Sequence, residues 1–402
     1  MRLIILTQYY PPETGAPQRR LSDLAQRFVQ LGHTVTVLTA MPNYPTGRVF
    51  SGYGRVLRRE TIKDVNVIRT FVIPTQSTSF ALRLLCYLSF VFSSILFGLA
   101  FLHTADFLLI ESPPLFLGVS AFILSRVKRA RMIFNVSDIW PSGLARLDLV
   151  SNTSSSYRLA SRLEAFCYKS AALVTCQTRG IMAEINARFP DVKTYYLTNG
   201  IAVEDFGPSR ATTEARLAMT KELNELVLLY AGLLGVAQSL EQIVDAAALL
   251  VDEPFRFVFL GDGPQKAMLQ GYAKRLNLHN VSFLAPVPLD DVPAYLAAAD
   301  IIVVSLMATY KEAVPSKLFE AMASQKPVLL VAASEACDIV QRYDAGVIAP
   351  PGNPQEIAQQ MQNLARDPTL REKYANNARA SAERDFNREQ IARDLAAFLE
   401  TL

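Results

Sequence analysis

Cysteine and histidine are scarce in this chain, and their scarcity removes whole classes of chemistry. Four cysteines, Cys86, Cys167, Cys176 and Cys337, are scattered over 402 residues with no Cys-x-x-Cys pair and no histidine-rich neighbourhood. That distribution excludes a disulfide framework and a zinc site of ordinary spacing, and it suits a reducing compartment. The amino terminus runs from Met1-Arg2 straight into an apolar stretch. It lacks the charged, apolar and small-residue order of a secretory signal, so the expected location is cytoplasmic.

The length and a hydrophobic content of 50% exceed what one compact core needs and suffice for two. A net charge of +3 hides an asymmetry, because residues 1–200 carry 22 Lys and Arg against 11 Asp and Glu, whereas residues 201–402 carry 18 against 26. A basic half is drawn to phosphate-rich partners, either nucleic acid or an anionic membrane surface. Nucleic acid is the poorer match, since the basic residues are not interleaved with a row of aromatics and no recognised nucleic-acid motif is present.

Along the first half, short β-branched or apolar runs alternate with helical spacing. Leu3–Thr7, Val35–Leu38, Val65–Arg69, Phe107–Ile110, Met132–Val136 and Leu173–Cys176 read as strands, and Leu21–Leu31 as a helix stopped by Gly32. A second series follows Thr198-Asn199-Gly200, with Leu226–Ala231, Phe255–Leu260, Val281–Leu284, Ile301–Val304 and Pro327–Val331 as buried strands. The pattern predicts α/β architecture in two parallel-sheet, Rossmann-like domains, residues 1–200 and 201–385. The hinge is expected at 199–209, a stretch with two Gly and one Pro, and the last helix, within 386–402, is a candidate to return to the first domain.

Leu84–Leu102 contains 19 residues without a charge, matching the ~20 apolar residues of a membrane span. It also holds three Ser and a Gly and lies between strands of one predicted sheet, so a span would split that sheet. A buried or interfacial helix fits better. The apolar Pro113–Leu124 is followed by Arg126, Lys128, Arg129 and Arg131, a combination suited to peripheral contact with an anionic leaflet.

The stretch Glu312-Ala-Val-Pro-Ser-Lys-Leu-Phe-Glu320 places two carboxylates eight residues apart, across a loop and the start of a helix. A helix N-terminus offers free N–H groups and partial positive charge to a diphosphate. Glu320 suits the vicinal hydroxyls of a ribose, and Lys317 beside it suits phosphate.

With Ala321-Met322-Ala323-Ser324-Gln325-Lys326-Pro327-Val328 behind it, this motif resembles the donor site of family 4 glycosyltransferases with the GT-B fold, in which two domains face each other across a cleft. Tyr9-Tyr10-Pro11-Pro12-Glu13-Thr14-Gly15-Ala16, Gly32-His33-Thr34, Asn199-Gly200-Ile201, Tyr230-Ala231-Gly232, Gly261-Asp262-Gly263-Pro264 and Ala298-Ala299-Asp300-Ile301 extend the likeness over essentially the whole chain. Within the family it is similar to bacterial enzymes of O-antigen and capsule assembly that transfer N-acetylfucosamine, which share the Tyr-x-Pro-Pro-Glu-x-Gly-Ala opening and Asp138-Ile139-Trp140-Pro141.

The resemblance implies a retaining transferase using a UDP- or GDP-sugar. Glu312 would position the donor sugar and Glu320 bind the ribose. Backbone around Val314, Ser316 and Lys317 would meet the diphosphate, to which Pro315 offers no N–H. Gly232, Gly261, Asp262 and Gly263 would approach the nucleotide and Val287 its base, while Gly15 would close over the phosphates. The chain departs from the family where cations normally follow the first glycine of the second domain, since Gly232-Leu-Leu-Gly-Val-Ala-Gln-Ser239 has none. Lys317 is the natural replacement, with Arg19 or Arg20 as weaker candidates.

Asp-x-Asp occurs nowhere in the sequence, so no metal cofactor is expected. Asp138, ending a predicted strand, is the candidate acceptor-side contact or base. Many relatives have a His near that position, where this chain has Ser137. His33 reads as structural. The acceptor expected from the basic, apolar first half is an undecaprenyl-diphosphate-linked saccharide at the inner face of the cytoplasmic membrane. A sugar-nucleotide 2-epimerase or a non-catalytic nucleotide-sugar-binding subunit are the other functions such a build permits.

Overall fold

The computed structural model describes residues 1–54, 56–77, 79–143, 151, 153–220 and 225–402. The chain forms two compact units, one made of Met1–Asn199 with Ile391–Leu402 and the other of Gly200–Gln390.

The first unit is built on β1 (Arg2–Leu6), β2 (Thr34–Ala40), β3 (Leu57–Ile62), β4 (Val65–Thr70), β5 (Phe107–Ser112), β6 (Arg131–Val136), β7 (Leu173–Cys176) and β8 (Thr194–Tyr196). Their order is β3-β4-β2-β1-β5-β6-β7-β8. Every neighbouring pair is parallel except β3 and β4. That antiparallel hairpin was not foreseen from the sequence. Its turn residues Lys63 and Asp64 both take positive φ, 48° and 64°, the conformation a two-residue hairpin loop needs. The charged Leu57-Arg-Arg-Glu-Thr-Ile62 suits an edge strand.

Helix α1 (Ala16–Gln30) starts five residues before the apolar spacing suggested, with Pro17 in its first turn, where the missing N–H costs nothing. Helices α2 (Phe80–Phe101) and α3 (Leu117–Val127) pack together: the Ser94 hydroxyl donates to Ser120 Oγ at 2.9 Å, and a Cβ on Gly98 would lie 2.8 Å from Leu124 Cδ2. Ser93 meets Thr70 of β4 at 3.0 Å, and Ser89 accepts from the Ile73 N–H at 2.9 Å. The serines of α2 thus face protein, while Leu85, Leu88, Phe92, Leu96 and Leu99 are exposed, with Phe92 at 70%. The helix is long and apolar enough to cross a membrane by composition, and its serine face is packed on the sheet and α3. On the opposite side of the sheet, the helix Arg388–Glu400 buries Ala392, Leu395, Ala396 and Leu399 among Leu3, Ile5, Leu21, Phe28 and Phe107.

The second unit carries β9 (Leu226–Ala231), β10 (Phe255–Leu260), β11 (Val281–Leu284), β12 (Ile301–Ser305), β13 (Val328–Val331) and β14 (Gly346–Ala349). They are ordered β11-β10-β9-β12-β13-β14 with all pairs parallel. Fully buried runs such as Phe255–Leu260 reflect a sheet covered on both faces. In each unit the strand order reverses at one place, between β1 and β5 and between β9 and β12. Crevices outside the carboxyl ends of such strands are where doubly wound sheets bind ligands.

Candidate functional site

At the β9/β12 reversal, Gly232 follows β9, and the loop 306–315 leads from β12 into the helix Ser316–Ala323. The Gly232 backbone has φ +131°, and a Cβ built there would lie 2.5 Å from Lys317 Cε and 2.7 Å from its Nζ. Glycine is therefore what lets the Lys317 amine lie against this loop. The amine also sits 5.4 Å from the centre of the Tyr230 ring, whose hydroxyl donates to Leu233 O at 2.6 Å and so braces the same loop. Burial pushes the Lys317 pKa down, and Glu320, one helical turn on, acts in the opposite direction. The amine is an under-compensated cation, suited to an anionic ligand.

Pro315 is the N-cap of that helix and supplies no side-chain cap, so the first-turn amides of Ser316 and Lys317 remain for a ligand. Val314 and Ala313 pack on the core and fix the approach to the helix. Glu312 lies half-buried in the same loop, and Glu320 is half-buried on the helix.

The neighbouring loop after β10 is held backbone to backbone. A Cβ on Gly261, φ +143°, would fall 2.0 Å from Gly232 O, and one on Gly263 would fall 2.3 Å from Leu234 O. The immediate requirement for both glycines is the fit of one loop on the other. Leu234 N–H donates to Asp262 O at 2.8 Å, Gln265 N–H to Leu234 O at 3.0 Å, and the exposed Asp262 side chain caps Gly263 N–H at 2.9 Å. Val287, beyond β11, is partly buried against the core.

Sequence reasoning missed three residues that set this geometry. Lys266 donates to Gly261 O at 2.7 Å and Leu284 O at 2.9 Å. Gln242 donates to Ser305 Oγ at 3.1 Å and accepts from Gly352 N–H at 2.7 Å, and Ser305 donates to Gln238 O at 2.6 Å. Only Ser305 carries a signal in the sequence, as the polar end of an apolar run, since Gln242 lies 63 positions away and meets it only in the fold.

In the first unit, Gly15 is the N-cap of α1, and a Cβ there would lie 2.3 Å from Gln18 Oε1. Arg20, weighed above as a phosphate cation, is instead spent in a buried pair with Glu111 at 2.6 Å. Glu111 also accepts from Asn135 at 2.7 Å and from the Ser137 hydroxyl, Asn135 accepts from Thr175 at 2.7 Å, and Gln177 accepts from Arg20 at 2.8 Å. Asp138 follows Ser137 just after β6, with one side of the residue open to solvent and the other against protein. Desolvation by the surrounding protein, with the Glu111 charge adding to it, pushes its pKa up to about 6. His33 meets the amino terminus at 3.2 Å and the Phe28 ring, a structural position.

Comparison with known proteins bears on both units. Residues 15–200 match the glycosyl transferase 4-like domain family, and residues 212–381 match the glycosyl transferases group 1 family. WcaI of Escherichia coli, assigned to colanic acid biosynthesis as a glycosyl transferase, is 25% identical over 404 residues, 98% of each chain. Among solved structures, Anabaena HepE in complex with UDP and glucose superposes with a TM-score of 0.73 at 20% identity, covering 100% of both chains. WaaG, a glycosyltransferase involved in lipopolysaccharide biosynthesis, gives 0.70 at 17% identity over 98% of this chain and 99% of its own.

Proposed function

The chain belongs to the family 4 glycosyltransferases of the GT-B fold, and from that premise we propose that it transfers a sugar, with retention and without a metal, from a UDP-sugar to a prenyl-diphosphate-linked saccharide in surface polysaccharide assembly. The observation that carries the donor half of this reading is the Lys317 amine lying against Gly232, beside an uncapped helix N-terminus. In such a transfer the bond between the anomeric carbon and the diphosphate oxygen breaks while a bond to the acceptor oxygen forms on the same face. Charge grows on the diphosphate, and Lys317 with the amides of Ser316 and Lys317 compensates it. Glu320 holds the ribose and Glu312 the donor sugar. The acceptor proton leaves to a diphosphate oxygen or to Asp138. HepE was solved with UDP and WcaI is assigned to colanic acid biosynthesis, which favours a UDP-sugar and a polysaccharide setting.

The acceptor half draws support from α2. Its outward stripe, Leu85, Leu88, Phe92, Leu96 and Leu99, is flanked by Arg59 over the Phe101 ring, Arg126 over Phe122, and Lys128, which donates to Leu99 O at 2.8 Å. An apolar face with a cationic rim suits peripheral binding to the anionic inner leaflet of the cytoplasmic membrane.

Thermal unfolding with UDP and with GDP tests the donor site. A saturating nucleotide at about 100 times its Kd adds ~2.7 kcal/mol to stability, and UDP should give the larger shift. Glu320→Ala should lose most of that shift, and Glu312→Ala should abolish transfer while keeping it. No shift with either nucleotide would refute the proposal.

A further inference from the structure

Two loops and a helix of the first unit bring together four side chains that donor binding does not use. Tyr9 follows β1, Tyr44 follows β2, and Arg83 and Tyr87 lie in the first turns of α2. The Tyr9 and Tyr44 rings are 5.7 Å apart, centre to centre, inclined at 58°. Arg83 donates to the Tyr87 hydroxyl at 3.5 Å. The cluster is held in place from beneath. The buried Glu13 carboxylate accepts from the N–H groups of Tyr44 at 2.8 Å, Asn43 at 2.8 Å and Tyr10 at 3.1 Å, locking the loop after β1 to the loop after β2. Gln8 reaches Cys86 Sγ at 3.5 Å and ties the end of β1 to α2. Burial chiefly, then the neighbouring Tyr87 and Cys86, raises the Tyr9 pKa, which keeps its phenol a neutral donor.

The position of this cluster matters as much as its composition. It lies outside the carboxyl ends of β1 and β2, beside the sheet's reversal point, and Arg83 and Tyr87 are interleaved with the exposed Phe80, Leu82, Leu85 and Leu88 of α2. Aromatic rings pack on the apolar face of a sugar. A guanidinium forks onto phosphate oxygens, and the adjoining apolar stripe suits a hydrocarbon chain. A lipid-diphosphate saccharide presents hydrocarbon, diphosphate and sugar in that same order.

We propose that Tyr9, Tyr44, Tyr87 and Arg83 form the acceptor subsite, with Arg83 on the diphosphate of a polyprenyl-linked saccharide and Tyr9 and Tyr44 against its first sugar. This rests on the transferase reading. Glu13 is a positioning residue, acting through the backbone of Tyr44.

Vesicle flotation of the full chain tests it, with three preparations: phosphatidylglycerol alone, the same with undecaprenyl diphosphate, and the same with undecaprenyl diphosphate N-acetylglucosamine. Wild type should bind progressively tighter across the three. Arg83→Gln should lose the gain due to diphosphate, about tenfold for a charge-assisted contact. Tyr44→Ala should lose the further gain due to sugar, about threefold or more, and Tyr44→Phe, which keeps the ring, should restore most of it. The melting temperature without ligand should be unchanged in all three variants, which shows each is folded, and the UDP-induced shift should be unchanged too, which shows the donor site is intact. Equal binding of wild type to the three preparations, or wild-type gains in Arg83→Gln and Tyr44→Ala, would overturn the subsite. A wild-type chain that fails to respond to UDP would instead sink the transferase reading beneath it.

Discussion

At the scale of single residues, desolvation holds one ionisable group of each unit out of its ordinary state, a cation in the second and a carboxyl in the first. Lys317 is depressed chiefly by burial, so a bound diphosphate should raise its pKa and binding should take up a proton. UDP affinity is then full below the depressed pKa and falls as pH rises through it. Above about pH 7.5 the nucleotide's own second phosphate pKa of ~6 no longer contributes. Lys317→Met should flatten that slope and weaken UDP by about 10- to 100-fold, the worth of a charge-assisted contact; titration calorimetry across pH would show it, and an unchanged slope would remove Lys317 from the phosphate site. Asp138, at about 6, is protonated below that pH and ionised above it, so kcat/KM should fall on the acid side near pH 6. Glu111→Gln takes away a neighbouring negative charge and should move this limb to lower pH. It also strands Arg20, at a cost of ~3–5 kcal/mol in stability, so chemical denaturation and the pH profile read two separate consequences of one substitution. Of these residues, Lys317 was legible because it opens a helix between two carboxylates, and Asp138 because it ends a predicted strand. Glu111, Asn135 and Thr175 were not, since a polar residue inside a strand shows no sign of what it faces until neighbouring strands are in register.

At the scale of elements, the strands were legible wherever both faces are covered, because burial on two sides writes itself as an unbroken apolar run, as in Phe255–Leu260. β3 escaped because an edge strand needs charge more than hydrophobicity. Helix α2 was legible as apolar but not in its orientation. Its small residues Ser93, Ser94 and Gly98 are buried together with Cys86 and Phe90, while Leu85, Leu88, Phe92, Leu96 and Leu99 point outward, a far more apolar outer stripe than an ordinary surface helix carries. Replacing Leu85, Phe92 and Leu96 together by serine therefore removes little from the core. The melting temperature should stay within about 3 °C of wild type, since exposed substitutions move stability by only about ±0.5 kcal/mol each. Flotation with phosphatidylglycerol vesicles should nevertheless be lost. A triple variant that unfolds would place this stripe in a protein contact, and one that still floats would dismiss α2 as the lipid-binding face.

At the scale of the whole molecule, the chain does not finish the second unit and stop. After Asp385 it runs through Asn387, which bridges Ile201 within the second unit, and continues into the helix Arg388–Glu400, whose residues from Ile391 onward belong to the first. The sequence offered this only as a candidate, because an amphipathic terminal helix does not name the surface it covers. The surface is specific: Leu395 and Leu399 are buried among Leu3, Ile5, Leu21, Phe28 and Phe107, the same cluster that seats β1 and α1. The loop carrying Glu13 and Gly15 lies between those two elements, so its anchoring depends on residues nearly 400 positions away. Leu395→Ala leaves a cavity where the surroundings relax only in part, and should cost ~2–5 kcal/mol. The donor loops belong to the second unit, so UDP should bind the variant as it binds wild type wherever both are folded. Hydrogen exchange followed by peptide resolves the two effects, with faster exchange expected in β1, α1 and 388–402 and none in 226–264. Uniform loss of protection across both units would mean that the two unfold as a single cooperative body and that the terminal helix stabilises the whole chain rather than the first unit.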